Sequence, residues 1–396
     1  MTTAEATEET TEENPGNASP EDVTAALRKA LREAPRRLWD ASTDGTVAAS
    51  LRELADWAAR TEHAEAPLDV YGDGVVTELE TRVARTLGFP AAAFFPTGTM
   101  AQQVALRCWA ARTGSPTVAL HPLAHPEVHE EGAFTAVSAL RTTHPTTSPR
   151  LPTAEEVRDH PEPFGTLMLE LPLRDAGFVL PSWEELTEVV EAARERDAVI
   201  HFDGARLWET PTHFGQELPE IAALADSVYV SFYKSLGGMS GAALAGPEDL
   251  IAEARVWRHR YGGNVFQQYP AALSALRGLE TELPALPSYV AHARMVAQTL
   301  RETFAEAGTP WSRVHPEQPH THQFQVWLPY PAEELNTASL ALATEGTALF
   351  RRWFPAPAGG PPGMSLTEVT ISAPGLTWTE KEVQETARRF LSHLPR

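Results

Sequence analysis

Ala198-Val199-Ile200-His201-Phe202-Asp203-Gly204-Ala205-Arg206 and Val228-Tyr229-Val230-Ser231-Phe232-Tyr233-Lys234-Ser235-Leu236-Gly237-Gly238 are two apolar runs of strand length, each closing on one ionisable residue. The segment before the first, Trp183 to Asp197, carries Leu186, Val189, Val190 and Ala193 at helical spacing. A helix near Leu218 to Ala225 separates the two runs, and Leu167 to Leu171 is a further strand candidate. Continuous apolar strands alternating with helices predict an α/β domain whose mainly parallel sheet is covered on both faces. Ligands of such sheets bind beyond the carboxyl ends of the strands, where Asp203 and Lys234 fall.

Lys234 is conspicuous because lysine is avoided elsewhere. The chain has three lysines, Lys29, Lys234 and Lys381, among 32 basic residues. A lysine retained beside Gly237-Gly238 points to a need for the amine itself, since a guanidinium stays protonated and cannot act as a nucleophile. An amine able to form a Schiff base and an acid able to face a pyridinium nitrogen are what pyridoxal phosphate (PLP) requires. A third stretch, Phe94-Phe95-Pro96-Thr97-Gly98-Thr99-Met100, leads into a helical pattern from Ala101. Gly98 permits close backbone approach, and hydroxyls and N–H groups at a helix N-terminus suit an anion. An ordinary helix cap has the same pattern.

Working outward, residues 1–20 are Thr, Glu, Pro and Asn with few apolar groups, which predicts a disordered acidic tail. Residues 21–70 are expected to form an N-terminal helical segment, 71–275 the large domain, and 276–396 a smaller α+β domain. In the last, a helix over Pro287 to Ala307, a strand Gln323–Leu328, a helix near Ala332 to Gly346, a strand near Val369–Ser372 and a terminal helix from Thr379 are expected. The 42% apolar content supports a sizeable core. The net charge of −21, with no basic block, argues against a nucleic-acid partner. One cysteine, Cys108, fits a reducing compartment, and nothing resembles a secretory signal or a membrane span. A cytoplasmic location is expected.

The chain resembles the threonine aldolase and β-eliminating lyase group of PLP enzymes. The resemblance rests on Tyr71-Gly72-Asp73, Phe95 to Ala101, His125 with Glu130 and Gly132, His201 to Leu207, Lys234 to Gly238, and Arg260 to Gly263, in that order. It implies the aspartate-aminotransferase-like architecture (fold type I). Carried over residue by residue, it implies that Lys234 holds PLP, Asp203 pairs with the pyridine nitrogen and His125 stacks on the ring. Gly98 and Thr99, with Thr97 and Ser231, would bind the phosphate, and Arg206 the substrate carboxylate. The expected site uses no metal. The group also implies a homodimer or homotetramer acting on a small amino acid.

Three departures from the group's pattern bear on the substrate. Phe266 stands near the place of a phosphate-binding arginine, for which Arg258 or Arg260, of the same or a neighbouring subunit, is expected to compensate. Glu170-Leu171-Pro172-Leu173-Arg174-Asp175 replaces a polar segment. The substrate-carboxylate elements at the N-terminus and near the last strand are unrecognisable, the corresponding stretches being Trp39 to Asp44 and Glu368 to Ser372. The expected reaction is cleavage of the Cα–Cβ bond of a β-hydroxy-α-amino acid to glycine and an aldehyde. The alternatives are β-elimination or racemisation with the same cofactor, and a PLP-fold protein that only binds a partner.

Overall fold

The computed structural model describes residues 20–40, 45–357 and 360–395. The expected tail therefore lies almost wholly outside the described residues, as do Ala41 to Asp44.

Seven strands form the main sheet: β1 (Ala91–Phe95), β2 (Thr117–Ala119), β3 (Arg141–Thr143), β4 (Thr166–Glu170), β5 (Val199–Gly204), β6 (Ser227–Ser231) and β7 (Ala242–Gly246). Their order is β1-β7-β6-β5-β4-β2-β3, and only β7 runs antiparallel to its neighbours. β4 and β6 are buried along their whole length, as expected for a parallel sheet with two covered faces. The crossover helix Trp183–Arg194 starts at a capping box of Ser182 and Glu185, so two otherwise unpaired backbone donors are satisfied before the apolar stripe begins.

The second sheet contains β8 (Arg313–His315), β9 (Gln323–Leu328), β10 (Phe354–Pro355) and β11 (Ser365–Thr370), antiparallel in the order β10-β11-β9-β8. Helices Leu286–Glu306, Ala332–Thr344 and Glu380–Ser392 belong with it, and Phe304, Phe324, Trp353 and Phe390 fill the core between. The N-terminal helices divide between the two cores. Leu27, Leu31, Leu38 and Trp39 join the second core, whereas Leu54 and Trp57 of helix Val47–Ala58 join the first.

Two elements differ from expectation. The strand before Lys234 stops at Ser231, because Gly237 and Gly238 fold the chain back. The Gly238 N–H donates to the Phe232 carbonyl at 2.8 Å, and a Cβ on Gly238 would crowd that same oxygen. Lys234 thus sits on a tight turn rather than at a strand end. The last strand begins at Ser365, four residues early. Its alternation of buried Ser365, Thr367 and Val369 uses polar residues on the inner face, which hides the strand from an apolar pattern. The preceding Pro/Gly stretch contributes the edge strand β10, where a proline costs no ladder bond.

Candidate active site

Register builds the site. Glu170 on β4 pairs with Asp203 on β5, which pairs with Tyr229 on β6. Residues paired across parallel strands share a face, so two carboxyls and a phenol stand in one row at the carboxyl ends of three strands. All three are buried. His201, two residues before Asp203 on the same face, is clamped between Gln102 Oε1 (2.7 Å) and Ser227 Oγ (2.8 Å). Ser227 Oγ also accepts from Trp109 Nε1 at 2.8 Å. Burial drives the His201 imidazole down to about 3, so it is a neutral strut below Asp203.

The charges at the row act on one another. Burial pushes the Glu170 carboxyl up to about 7 and the Asp203 charge adds to this, against backbone N–H groups from His125 and Arg174. Those bonds are 2.7 and 3.2 Å. Burial also raises Asp203, against the Lys234 charge and the Ala205 N–H. Lys234 is lowered to about 8, first by burial and then by the positive charge of Arg206, against Asp203 and Glu170. A lysine so lowered is a free amine in a sizeable fraction near neutral pH, which is what a nucleophilic lysine needs.

His125 opens the short helix His125–His129, with Nδ1 3.3 Å from Glu130 Oε1. Its backbone N–H holds Glu170, so the histidine and the acid are fixed together. Arg206 lies on the turn after β5. Its Nε donates to Gln323 Oε1 on the second sheet at 2.7 Å, and its guanidinium carbon is 5.3 Å from the Phe178 ring centre.

The expected phosphate turn lies beside this row. Thr97 caps the helix Gly98–Thr113 by accepting from the Met100 N–H at 3.2 Å. Gly98 is required sterically, since a Cβ there would run into the Tyr229 hydroxyl. Thr97 and Thr99, with Gln103 and Tyr261, line a cavity of about 260 Å³. Ser231 is wholly buried, and its Oγ has no hydrogen-bond partner among the described residues. An orphaned buried hydroxyl is a cost that a ligand oxygen would remove. The glycine cradle, the capped helix N-terminus, the lowered lysine and the buried acids fit a phosphorylated pyridine aldehyde.

The structure thus brings Lys234 into electrostatic reach of Asp203 and Arg206, and Asp203 into that of His125, with Gly98 against Tyr229 of the same row. Within one chain, Arg258 and Arg260 are engaged in other contacts. Arg258 is buried, donating to the Phe94 carbonyl (2.5 Å) and pairing with Glu80 Oε1 (3.2 Å). Arg260 stacks on Trp257, with 4.4 Å from its guanidinium carbon to the ring centre. Glu80 also accepts from the Phe94 N–H at 2.8 Å, so Arg258 supports the strand that leads into the turn. Leu171 and Leu173 are packed into hydrophobic clusters, and Arg174 ties the site to β11 through Glu368 at 2.9 Å. Sequence reasoning gave no site role to Glu170 or Glu130. The signal for Glu170 was present, since it too is an acid closing an apolar run. Glu130 was visible only as a spacing from His125.

The chain is similar to known proteins in sequence and in fold. Residues 40–323 match the beta-eliminating lyase family. The chain is 32% identical over 245 residues to the low specificity L-threonine aldolase of Escherichia coli K12, covering 60% of this chain and 73% of that protein. A solved structure assigned as an L-allo-threonine aldolase from Listeria monocytogenes EGD-E superposes with a TM-score of 0.83 at 32% identity, over 94% of this chain and 100% of that one. Serine palmitoyltransferase of Sphingomonas wittichii shares the fold alone, with 16% identity, a TM-score of 0.61, and coverage of 87% of this chain and 85% of that one. Taken with the Glu170–Asp203–Tyr229 row and the lysine turn beside it, these similarities show that the chain belongs to the β-eliminating lyase family of PLP-dependent enzymes, the one that includes the threonine aldolases.

Proposed function

We propose that this protein is a PLP-dependent carbon–carbon lyase of the threonine aldolase type, which cleaves a β-hydroxy-α-amino acid to glycine and an aldehyde. The observation that carries this reading is the in-register pair Glu170 and Asp203 beside Lys234 and Arg206, in a chain of this family. When bound, PLP would accept the electron pair released at Cα. Lys234 would hold the cofactor, and Asp203 would keep the ring nitrogen protonated. Thr97, Gly98, Thr99 and Ser231 would receive the phosphate. The fork of Arg206, oriented by Gln323, would take the substrate carboxylate and so fix which bond at Cα stands across the ring. His125 would lie over the ring. Its Nδ1 faces Glu130, which leaves Nε2 to take up the β-hydroxyl proton.

The substrate is a small amino acid, and the active form a homo-oligomer. Tyr71 and Phe266 support the second point: they are 57% and 55% exposed and pack edge to face on each other, with Val70 and Val265 exposed beside them. The test of the reaction is product analysis. Holoenzyme given L-threonine, L-allo-threonine or phenylserine should release glycine and the matching aldehyde. Keto acid and ammonia instead would replace this reading with β-elimination, and inversion at Cα alone would replace it with racemisation.

A further inference from the structure

A buried acid on the turn after Asp203 has no part in the reaction above. Glu209 is 1% exposed, and His322, immediately before Gln323 on β9, is 3% exposed. Glu209 Oε1 and His322 Nε2 lie 3.3 Å apart, an ion-pair separation in which Nε2 has no aligned hydrogen-bond partner among the described residues. The other ring nitrogen, Nδ1, is 2.5 Å from the Ile371 carbonyl oxygen, a separation that requires an N–H there. A neutral ring with its one proton on Nδ1 would turn a lone pair towards the carboxylate. The geometry therefore calls for a second proton on the pair. Burial opposes charge on both groups, yet the His322 cation holds Glu209 below its ordinary value, and Glu209 holds His322 above its own.

What this pair touches gives it a role. Ser235, the residue after Lys234, donates its hydroxyl to Glu209 Oε1. Arg206, three residues before Glu209 on the same turn, is held by Gln323, the residue after His322. Gln323 Nε2 in turn donates to Thr370 Oγ1 at 3.0 Å, next to Ile371. The turn bearing Arg206 and the turn bearing Lys234 are thus both anchored to the same corner of the second sheet. That corner consists of His322–Gln323 and Thr370–Ile371.

We propose that Glu209 and His322 form a positioning pair, a buried charged clamp that holds Arg206 and the Lys234 turn against the second sheet in the geometry that receives the amino acid. The proposal rests on Arg206 as the carboxylate anchor and Lys234 as the cofactor lysine. Neither clamp residue touches the reacting atoms. Loss of the clamp should therefore weaken substrate capture more than it slows the bond-breaking step. Glu209→Gln should largely preserve the geometry. With its amide nitrogen at the place of Oε1, it can donate one N–H to a neutral His322 and the other to the Ser235 hydroxyl, which turns to accept.

The test compares Glu209→Ala and Glu209→Gln in the holoenzyme. In Glu209→Ala we expect KM, and the glycine dissociation constant read from the visible absorbance of bound cofactor, to rise about ten-fold, with kcat within about three-fold. In Glu209→Gln both constants should return to within about three-fold of wild type. In the cofactor-free Glu209→Ala protein, amide hydrogen exchange should quicken in 232–238 and 322–328 together. A folded Glu209→Ala protein with unchanged KM and glycine affinity would overturn the clamp, as would a fall in kcat alone. If Glu209→Ala does not fold, Glu209→Asp, which keeps the charge but is one methylene short, is judged by the same outcomes. Wild-type protein whose cofactor absorbance does not respond to glycine would instead refute the reading of the site, before any variant is considered.

Discussion

At the scale of single residues, the site works by making buried groups hold unusual protonation states. Lys234 can serve as the cofactor amine because burial and Arg206 bring it to about 8. Lys234→Ala should lower turnover by about a thousand-fold or more and abolish the visible absorbance of bound PLP, and full turnover in that variant would end the proposed mechanism. Glu170 makes a second, independent prediction. Its carboxyl is raised to about 7 by burial and then by Asp203, from an ordinary 4.5. Between those values the folded chain keeps a proton that the unfolded chain has released, so this group's contribution to stability is lost as pH rises towards 7. In Glu170→Gln that slope should vanish. Compared with this variant, the cofactor-free wild type should lose on the order of a few kcal/mol between pH about 4.5 and about 7, measured by urea unfolding. An equal difference between the two proteins at both ends of that range would show that Glu170 titrates normally. Asp203 and Lys234 were legible as residues because each closes an apolar run, and Arg206 because it completes the motif Asp203-Gly204-Ala205-Arg206. The pairings that tune them, Glu170 with Asp203 and Gln323 with Arg206, were not, because these residues meet only through the tertiary fold.

At the scale of elements, the phosphate turn depends on what lies beneath it. Gly98→Ala would drive a methyl group into the Tyr229 hydroxyl, so PLP affinity should fall about ten-fold or more, with a stability loss of about 1–3 kcal/mol typical of overpacking. Adding Tyr229→Phe removes the nearest atom and should recover part of both, by absorbance titration and thermal unfolding. Glu80 pins the strand leading into that turn through Phe94, Arg255 and Arg258. Glu80→Ala strands the buried Arg258 charge and should cost about 3–5 kcal/mol, whereas a change below about 1 kcal/mol would mean the pair is solvated. Most helices were legible, since a capping box and a 3.6-residue stripe are local features. The strand Ser365–Thr370 was not, because threonine and serine face its buried side.

At the scale of the whole molecule, the site lies where the two sheets meet. Arg206 reaches Gln323, Arg174 reaches Glu368, and Glu209 reaches His322. The exposed Tyr71 and Phe266 pair makes the assembly testable: Phe266→Glu should shift the mass in light scattering towards the monomer, and an unchanged mass would place the interface elsewhere. The sequence by itself determined the α/β class, the family and the order of the motifs, because apolar runs, glycine turns and a lysine kept where lysine is rare are local features. Only the tertiary structure decided that Glu170 and Asp203 stand side by side and that Arg258 is spent on Glu80. The same holds for the anchoring of the turns bearing Arg206 and Lys234 to one corner of the second sheet. Strand register and the burial of charge arise from contacts between residues far apart in the chain, 178 positions for Glu80 and Arg258 and 194 for Arg174 and Glu368, and no local pattern encodes such contacts.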